Sequence, residues 1–151
     1  MKNVAFHTNE LNERGTNVAV YDYAHYNETI LGNKSYIISN AAAELASLKK
    51  FKSRFDVFLY SDFKDCYNFT NKNKIDSVYY VKAGDDDGLR IPGTRSLIHA
   101  VFQHKDVHGD AYCYISEWLA NKMGLPDAYV PYIVDMPSPV KNYRERLNIP
   151  L

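Results

Sequence analysis

Cysteine, net charge and long hydrophobic runs are all scarce in this sequence. Only two of its 151 residues are cysteines, and Cys66 and Cys113 lie far apart, without a metal-ligand spacing such as CxxC. We therefore expect two reduced thiols, as in proteins of the cytoplasm. The sequence shows neither a signal-peptide pattern nor an apolar run of the length that crosses a bilayer, and this predicts a chain without a transmembrane segment.

An excess of charge of one sign is also lacking, because 18 lysines and arginines balance 18 aspartates and glutamates. This balance argues against a broad basic surface that binds nucleic acid. The basic cluster at residues 49–52 is better explained as the last turn of a helix, where cations interact favourably with the helix dipole.

Hydrophobic residues are plentiful: they make up 46% of the sequence, and 13 residues are tyrosines. Length and composition predict one globular domain with a core of its own. Some tyrosines could provide stacking surfaces for a sugar, but we expect most of them to have a buried ring and a hydrated hydroxyl. The candidates are Tyr21, Tyr23, Tyr26, Tyr79, Tyr80, Tyr112 and Tyr114.

Short apolar runs alternate with helical stretches along the chain. The runs predict buried β-strands at residues 4–6, 35–39, 55–60, 77–81, 97–102, 111–115 and 129–134. The helical stretches cover residues 17–31, 41–52, 62–69 and 116–123. This alternation predicts an α/β fold in three layers, with a mainly parallel sheet and helices on both faces.

Capping residues and apolar spacing support the helices. Asn40 and Ser116 are suitable N-caps for the second and fourth helices, and Gly124 is a stop signal for the fourth. The first helix has a stripe of apolar residues near one face, and Asn27 interrupts this stripe. Its members are Val20, Tyr23, Ala24, Ile30 and Leu31.

The loops that follow the strands are the candidate sites, since parallel sheets bind ligands beyond the carboxyl ends of their strands. The first loop leads from the strand at residues 4–6 through Arg14-Gly15-Thr16 into a helix. A helix N-terminus offers free N–H groups and partial positive charge, and glycine lets a phosphate or sugar approach closely. The loop has one glycine where a dinucleotide fingerprint needs three, so a simple turn at Gly15 with an N-cap at Thr16 is an equal alternative.

A histidine-rich loop follows the fifth strand. His104 or His108 could donate to a sugar hydroxyl or stabilise developing charge, and the alternative is an exposed polar loop. A zinc site at His104, Asp106 and His108 would need a further ligand. His99 lies within the strand itself, and we expect it to be structural.

An acidic cluster follows the fourth strand. Asp85-Asp86-Asp87 could hold Mg²⁺ or Mn²⁺ beside a diphosphate. Clusters of Asp and Gly are more often solvated turns, and that interpretation is favoured here.

Several segments, taken in order, resemble a known family. They are Phe6-His7-Thr8-Asn9, residues 14–24 (RGTNVAVYDYA), residues 80–84 (YVKAG) with Asp87-Gly88, residues 98–102 (IHAVF), residues 108–119 (HGDAYCYISEWL) and residues 130–134 (VPYIV). Together they resemble the N-terminal domain of glycosyltransferases related to glycosyltransferase family 4. The likeness is strongest to a branch found in large algal viruses (the chlorella virus type) and some bacteria.

The resemblance implies the GT-B architecture, in which two Rossmann-like domains face each other across a cleft. Residues 1–135 would form the N-terminal, acceptor-side domain, residues 136–151 would begin the crossover linker, and the C-terminal donor domain would be absent. The implied function is that of a retaining glycosyltransferase, a hexosyltransferase that moves a sugar from a nucleotide-sugar donor to a glycan or other acceptor. The fragment alone would then be inactive.

The resemblance also bears on cofactors and site residues. It implies no metal or other cofactor. With the charge balance and the two thiols, we expect no nucleic-acid partner and a cytoplasmic location, which for a viral protein is the host cytoplasm. In that family a histidine contacts the transferred sugar, and either His104 or His108 would correspond to it. The implied residues are His104 and His108 for catalysis, Arg14, Gly15 and Thr16 for the donor phosphate or sugar, and His7 and Asn9 on the acceptor side.

Two other functions stay open. A stand-alone nucleotide- or phosphate-binding module would bind its ligand without a partner domain. A manganese-dependent transferase would use Asp85 and Asp87, where the resemblance implies only a polar turn. It predicts Mn²⁺-dependent binding of a nucleotide sugar that is lost in Asp87→Ala.

Overall fold

Strands and helices alternate along the computed structural model, which describes residues 1–133. Within these residues the elements are β1 (Asn3–Thr8), α1 (Gly15–Thr29), β2 (Lys34–Asn40), α2 (Leu45–Lys52), β3 (Asp56–Tyr60), α3 (Asp65–Lys72), β4 (Ser77–Lys82), β5 (Arg95–Ala100), β6 (Ala111–Tyr114) and α4 (Glu117–Lys122). The predicted domain end at residue 135 and the predicted linker at residues 136–151 lie outside the described residues. None of the helices in this part of the chain has the length and hydrophobicity that a membrane span requires.

The strands form one sheet in the order β3-β2-β1-β4-β5-β6. β1 lies inside it, with Phe6 opposite Ile37 of β2 and Tyr79 of β4. Every strand pair between residues 1 and 133 is parallel. This is the strand order of a Rossmann-like α/β fold, so the predicted fold class is confirmed.

One face of the sheet is covered by α1 and α2. Phe6 and Ile37 pack there with Val20 and Ala24 of α1 and with Phe51 of α2. Because successive side chains of a strand point to opposite faces, the neighbours of these strand residues belong to the other side of the sheet.

The opposite face has a core of its own. Ala5, Ile38 and Val78 pack there with Cys66 of α3 and with Ile91 of the β4–β5 connection. A smaller cluster joins α4 to the β5–β6 edge of the sheet. The sheet is thus buried on both sides, and this gives the three layers that the alternation predicts.

The buried stripe of α1 differs from the predicted one. Asn27 continues the stripe rather than interrupting it, since it is buried and its Nδ2 donates to Oγ of Ser35 at 2.9 Å. Ile30 and Leu31 were expected on the same face, yet they are 72% and 68% exposed because α1 ends at Thr29.

Local hydrogen bonds account for the helix starts. Asn40 does not cap α2, because its side-chain oxygen accepts from the N–H of Ala42 at 2.9 Å and α2 begins only after Glu44. Short polar side chains often bond their own backbone in this way, in competition with the helix. Ser116 does cap α4 as predicted, with Oγ accepting from the N–H of Leu119 at 3.2 Å.

The predicted seventh strand is wrong for the part of it that the structure describes. Tyr129 forms a single parallel bridge with Tyr114, and residues 130–133 are not in a strand. Pro131 lacks the N–H that an inner strand would donate. Val134, the last residue of the prediction, lies outside the described residues.

The buried tyrosines bear out only half of their prediction. Tyr80 and Tyr114 have buried rings, as expected, with 1% and 0% exposure. Their hydroxyls are not hydrated. That of Tyr80 accepts from the N–H of Ile91 at 2.9 Å, and that of Tyr114 donates to the carbonyl of His104 at 2.8 Å.

Candidate functional site

A cavity of about 480 Å³ lies at the carboxyl edge of the sheet, beside the ends of β1 and β4. The strand order reverses between these two strands. The lining comes from the β1–α1 loop, the first turn of α1, residues 81–83, residues 101–102, Ile115 and Tyr132. Open α/β sheets bind ligands in such a crevice, so this switch-point cavity is the candidate functional site.

The N-terminus of α1 lines this cavity through Gly15 and Thr16. Arg14 is the N-cap, makes no cap bond with its side chain, and no acidic residue occupies the first turn. The carbonyl of Arg14 accepts from the N–H groups of Asn17 at 3.0 Å and Val18 at 3.3 Å. The helix therefore presents the N–H groups of Gly15 and Thr16, and its positive end, to a ligand.

Two asparagines hold the β1–α1 loop in place. Nδ2 of Asn17 donates to Oδ1 of Asn12 at 2.7 Å and to the carbonyl of Glu10 at 2.9 Å. The same Oδ1 of Asn12 accepts from the N–H of Arg14 at 3.0 Å. Sequence reasoning missed both asparagines. The only signal for them was their place in the loop before a helix, where Asn often bonds to the backbone.

Lys82 brings a second strand end to the cavity. It closes β4, it lines the cavity, and its side chain is only 4% exposed. Its ammonium group forms an ion pair with Asp87 of the β4–β5 connection. A buried ammonium needs such a partner, and the pair holds the cation beside the loop that leads into α1.

The charges around the cavity favour an anion. Arg14 contributes a cation and α1 adds its positive end, whereas the ammonium of Lys82 is already paired with Asp87. Glu10 is the one carboxylate among the residues that line the cavity within the described chain. Arg14 and Glu10 are exposed, so solvent screens them, whereas the helix terminus and Lys82 are fixed in position.

The structure brings four of the predicted site residues together. Arg14, Gly15, Thr16 and Asn9 all line the switch-point cavity. The alternative role of Thr16 as N-cap is wrong, since Arg14 occupies that position and Thr16 is the second residue of α1.

His7, predicted on the acceptor side, does not line the cavity. It is buried in the aromatic layer on the α3 side of the sheet, where its Nε2 and the hydroxyl of Tyr60 are hydrogen-bonded at 3.0 Å. Burial lowers the pKa of His7 to about 4. The imidazole is therefore neutral at pH 7.

The two histidines that the resemblance assigns to catalysis also lie outside the cavity lining. His104 is exposed, and its carbonyl accepts the hydroxyl of Tyr114. His108 is 8% exposed and its Nδ1–H donates to the carbonyl of Asp106 at 2.6 Å, in contact with the ring of Tyr112. Their catalytic role stays a prediction, and the cavity gives it no support.

His99 has the environment expected of a structural histidine. It is fully buried in β5, and its Nδ1 and the hydroxyl of Tyr79 are hydrogen-bonded at 2.7 Å. Burial lowers the pKa of His99 to about 4, so this imidazole too is neutral at pH 7.

Two carboxylates of the acidic triplet, those of Asp86 and Asp87, have protein partners. Asp87 pairs with Lys82 and accepts from the N–H of Leu89 at 2.9 Å. Asp86 pairs with Arg90 at 3.1 Å, and the hydrogen bond from the N–H of Gly88 lowers its pKa. No group of three or more His, Cys, Asp or Glu side chains in residues 1–133 is arranged to hold a metal ion. These carboxylates close a turn and neutralise a buried lysine.

Comparison of the chain with protein-family models, with curated proteins and with solved structures gives no match.

Proposed function

We propose that this chain is the acceptor-side half of a retaining glycosyltransferase, which moves a sugar from a nucleotide-sugar donor to a glycan or other acceptor. The observation that carries the proposal is the switch-point cavity, because the uncapped N-terminus of α1 lines it at the point where strand order reverses. A helix N-terminus of this kind binds anionic groups, among them the diphosphate of a nucleotide. The sequence resemblance adds the sugar and the reaction class.

In this proposal the donor phosphate accepts hydrogen bonds from the N–H groups of Gly15 and Thr16, with Arg14 beside it. When the bond from the anomeric carbon to the phosphate oxygen breaks, its electron pair passes to that oxygen. The positive end of α1 and the Arg14 guanidinium then stabilise the added negative charge. The acceptor hydroxyl forms the new bond to the anomeric carbon on the face that the phosphate leaves, and its proton passes to the departing phosphate oxygen. Asn9 lies in the lining where it could orient this acceptor.

The remaining donor contacts would come from a second domain that faces the cavity. Phe102 lines the cavity and is 62% exposed, which suits a residue that contacts a second domain. Affinity of this chain alone for a nucleotide would then be weak. We place the enzyme in the cytoplasm, where nucleotide sugars are supplied.

Binding to the chain alone is the first test. UDP, GDP, UDP-sugars and GDP-sugars would be titrated while the amide signals of Gly15 and Thr16 are followed by NMR. We expect weak, saturable shifts in the first turn of α1, reduced in Arg14→Ala. Arg95→Ala is the matched control, since Arg95 is an exposed arginine at the start of β5, the opposite edge of the sheet from the cavity. Shifts at other sites only would contradict the proposal.

Activity is the second test. Donor hydrolysis and transfer would be measured for this chain and for a version extended beyond Leu151 through the natural gene. Turnover only in the longer version would support an active site that this chain shares with a second domain. Tight nucleotide binding by the short chain, with no turnover in either version, would instead favour a stand-alone binding module. Manganese-dependent turnover by the short chain would favour the acidic triplet as the site.

A further inference from the structure

The α1 side of the sheet is covered less completely at β4, β5 and β6 than at β1, β2 and β3. α1 and α2 pack against the latter three strands, whereas α3 and α4 pack on the opposite face. The strand register places Leu97 and Ala111 beside Tyr79 on the α1 face, and none of these three side chains is buried. Their strand neighbours on the opposite face, Tyr80 and Ile98, are each 1% exposed. Because parallel sheets bury both faces, a further segment would pack on this part of the α1 face.

An apolar groove of about 480 Å³ lies on this part of the sheet. It is formed between the C-terminal end of α1 and the first residues of β1 and β4, at the amino edge of the sheet. Its apolar lining includes Val4, Ile30, Leu31, Leu97, Val130 and Ile133. Ile30 and Leu31 are 72% and 68% exposed, and Lys2 is the one charged residue in the described lining. An exposed apolar surface of this kind marks a place where another element packs.

The chain itself leads away from this groove. Val130 and Ile133 line it, and Ile133 is directly followed by residues 134–151. Even when fully extended, the chain places Val140 at most about 25 Å from Ile133. Residues 140–151 therefore begin within reach of the whole groove.

The sequence of residues 138–147 has the pattern of an amphipathic helix. Ser138 and Pro139 are typical of an N-cap and of the first residue of a helix. Val140, Tyr143 and Leu147 follow at three- and four-residue steps, which places them on one side of such a helix. The positions between them hold the charged residues Lys141, Arg144, Glu145 and Arg146. A short helix of this kind is stable only when its apolar side packs on another surface.

We propose that residues 134–151 fold back onto the domain and that the apolar side of residues 140–147 packs into the apolar groove, against Ile30, Leu31 and Leu97. This assignment differs from that of the sequence resemblance, in which residues 136–151 begin a linker toward a second domain. It does not rest on the proposed function, because the groove lies at the amino edge of the sheet and the switch-point cavity lies at the carboxyl edge.

Limited proteolysis of the full chain tests the proposal, since Lys141, Arg144 and Arg146 are trypsin sites within the segment. A packed segment is cleaved only while it is transiently released. The rate of cleavage at these sites would be followed by mass spectrometry in the wild type, in Leu31→Gln and in a free peptide of residues 134–151. We expect cleavage in the wild type to be at least about 10-fold slower than in the peptide, and Leu31→Gln to lose most of this protection, because it replaces apolar contact area in the groove by an amide.

Leu45→Gln is the matched control. Leu45 is 67% exposed at the start of α2 and does not line the groove, so this variant should be cleaved as slowly as the wild type. Cleavage of the wild type as fast as the free peptide overturns the proposal, and so does full protection in Leu31→Gln. Protection that disappears when the chain is diluted would place a second copy in the groove and overturn the proposal as well.

A second measurement locates the segment in the wild type without any substitution. We expect NMR cross-relaxation between the methyl groups of Leu147 or Val140 and those of Ile30, Leu31 or Leu97. Methyl contacts only with residues outside the groove, or none at all, would overturn the proposal.

Discussion

Gly15 is the residue on which the proposed phosphate site most depends, and the protein's own packing does not require it. A Cβ built at Gly15 would meet no atom within 4 Å. Gly15 is also the first residue of a helix, where alanine is at least as favourable. A methyl group there would occupy space at the lining of the cavity, where a ligand would lie.

We expect Gly15→Ala to separate stability from binding. The free energy of unfolding should stay unchanged or rise by up to about 1 kcal/mol, since alanine restricts the unfolded chain. Phosphate-ligand affinity should fall by about 10-fold, because the added methyl group keeps the ligand from the helix N–H groups. Urea unfolding and ligand titration measure the two effects. Unaltered affinity would place the ligand elsewhere.

Two buried histidines make stability depend on pH. Burial lowers the pKa of His7 and of His99 to about 4, below the value of 6.5 expected in the unfolded chain. Between these values the unfolded chain binds protons that the folded chain excludes. The stability that these two neutral histidines contribute is therefore fully present above about pH 6.5, and it is lost as the pH falls toward 4.

The expected loss is about 3 kcal/mol per histidine over that range. Urea unfolding at several values between pH 7.5 and pH 4.5 would measure it. His7→Gln and His99→Gln cannot titrate, so each should flatten the decline, and His25→Gln on α1 is the control. An equal slope in all four proteins would show that other groups cause the acid sensitivity.

At the scale of elements, the periodicity of the sequence predicted which segments are strands and helices better than where they begin. β4 and β6 begin where their apolar runs begin, whereas β5 begins two residues before its run, and α4 begins after its predicted cap, Ser116. α2 begins later than predicted because the side chain of Asn40 accepts a hydrogen bond from the N–H of Ala42. Residues 130–133, which include Pro131, form no strand. Such boundaries depend on single hydrogen bonds, which periodicity does not encode.

The junction after β4 gives a prediction for the element scale. Gly84 has a φ of +126°, and a Cβ there would lie 2.9 Å from Cβ of Ala100 and 3.0 Å from the hydroxyl of Tyr112. We expect Gly84→Ala to lower the free energy of unfolding by about 2–4 kcal/mol, through backbone strain and overpacking.

Gly88→Ala is its matched control. Gly88 also has a positive φ, +71°, but a Cβ there would meet nothing within 4 Å. Gly88→Ala should lower the free energy of unfolding by about 1 kcal/mol, from backbone strain alone. Both variants would be compared by urea unfolding at pH 7.5. Equal costs would mean that the contacts around Gly84 relax without penalty.

At the scale of the whole molecule, strand order determines both the position of the cavity and the distribution of stability. β1 and β4 lie in the middle of the sheet, whereas β3 and β6 are its edges and β6 has only four residues. Edge strands lack one set of ladder hydrogen bonds and open more readily.

Native-state hydrogen exchange should follow this order. Amides of Phe6 and Tyr80, in the central strands, should exchange only through global unfolding. The amide of Cys113, in β6, should exchange through smaller openings and be less protected by about 1 kcal/mol or more. Equal protection in β6 and β1 would indicate that a further segment covers the β6 edge.

The sequence by itself determined the fold class and part of the site. Alternating apolar runs and helical stretches suffice to predict a parallel α/β sheet, and Arg14-Gly15-Thr16 suffices to predict a helix N-terminus after the first strand, which the structure places at the cavity. These two features depend on residues that are close in sequence, and the spacing of residue types in the sequence shows them directly.

Only the tertiary structure decided which distant residues meet. Lys82 lies beside the β1–α1 loop because β4 pairs with β1. His7 points to the opposite face of the sheet, toward Tyr60, because successive side chains of a strand alternate between the two faces. His104 and His108 follow β5, yet neither lines the cavity. Asn17 is left with one unpartnered oxygen by its bonds to Asn12 and Glu10. Strand pairing and side-chain orientation depend on contacts between segments far apart in sequence, and local spacing does not record these contacts.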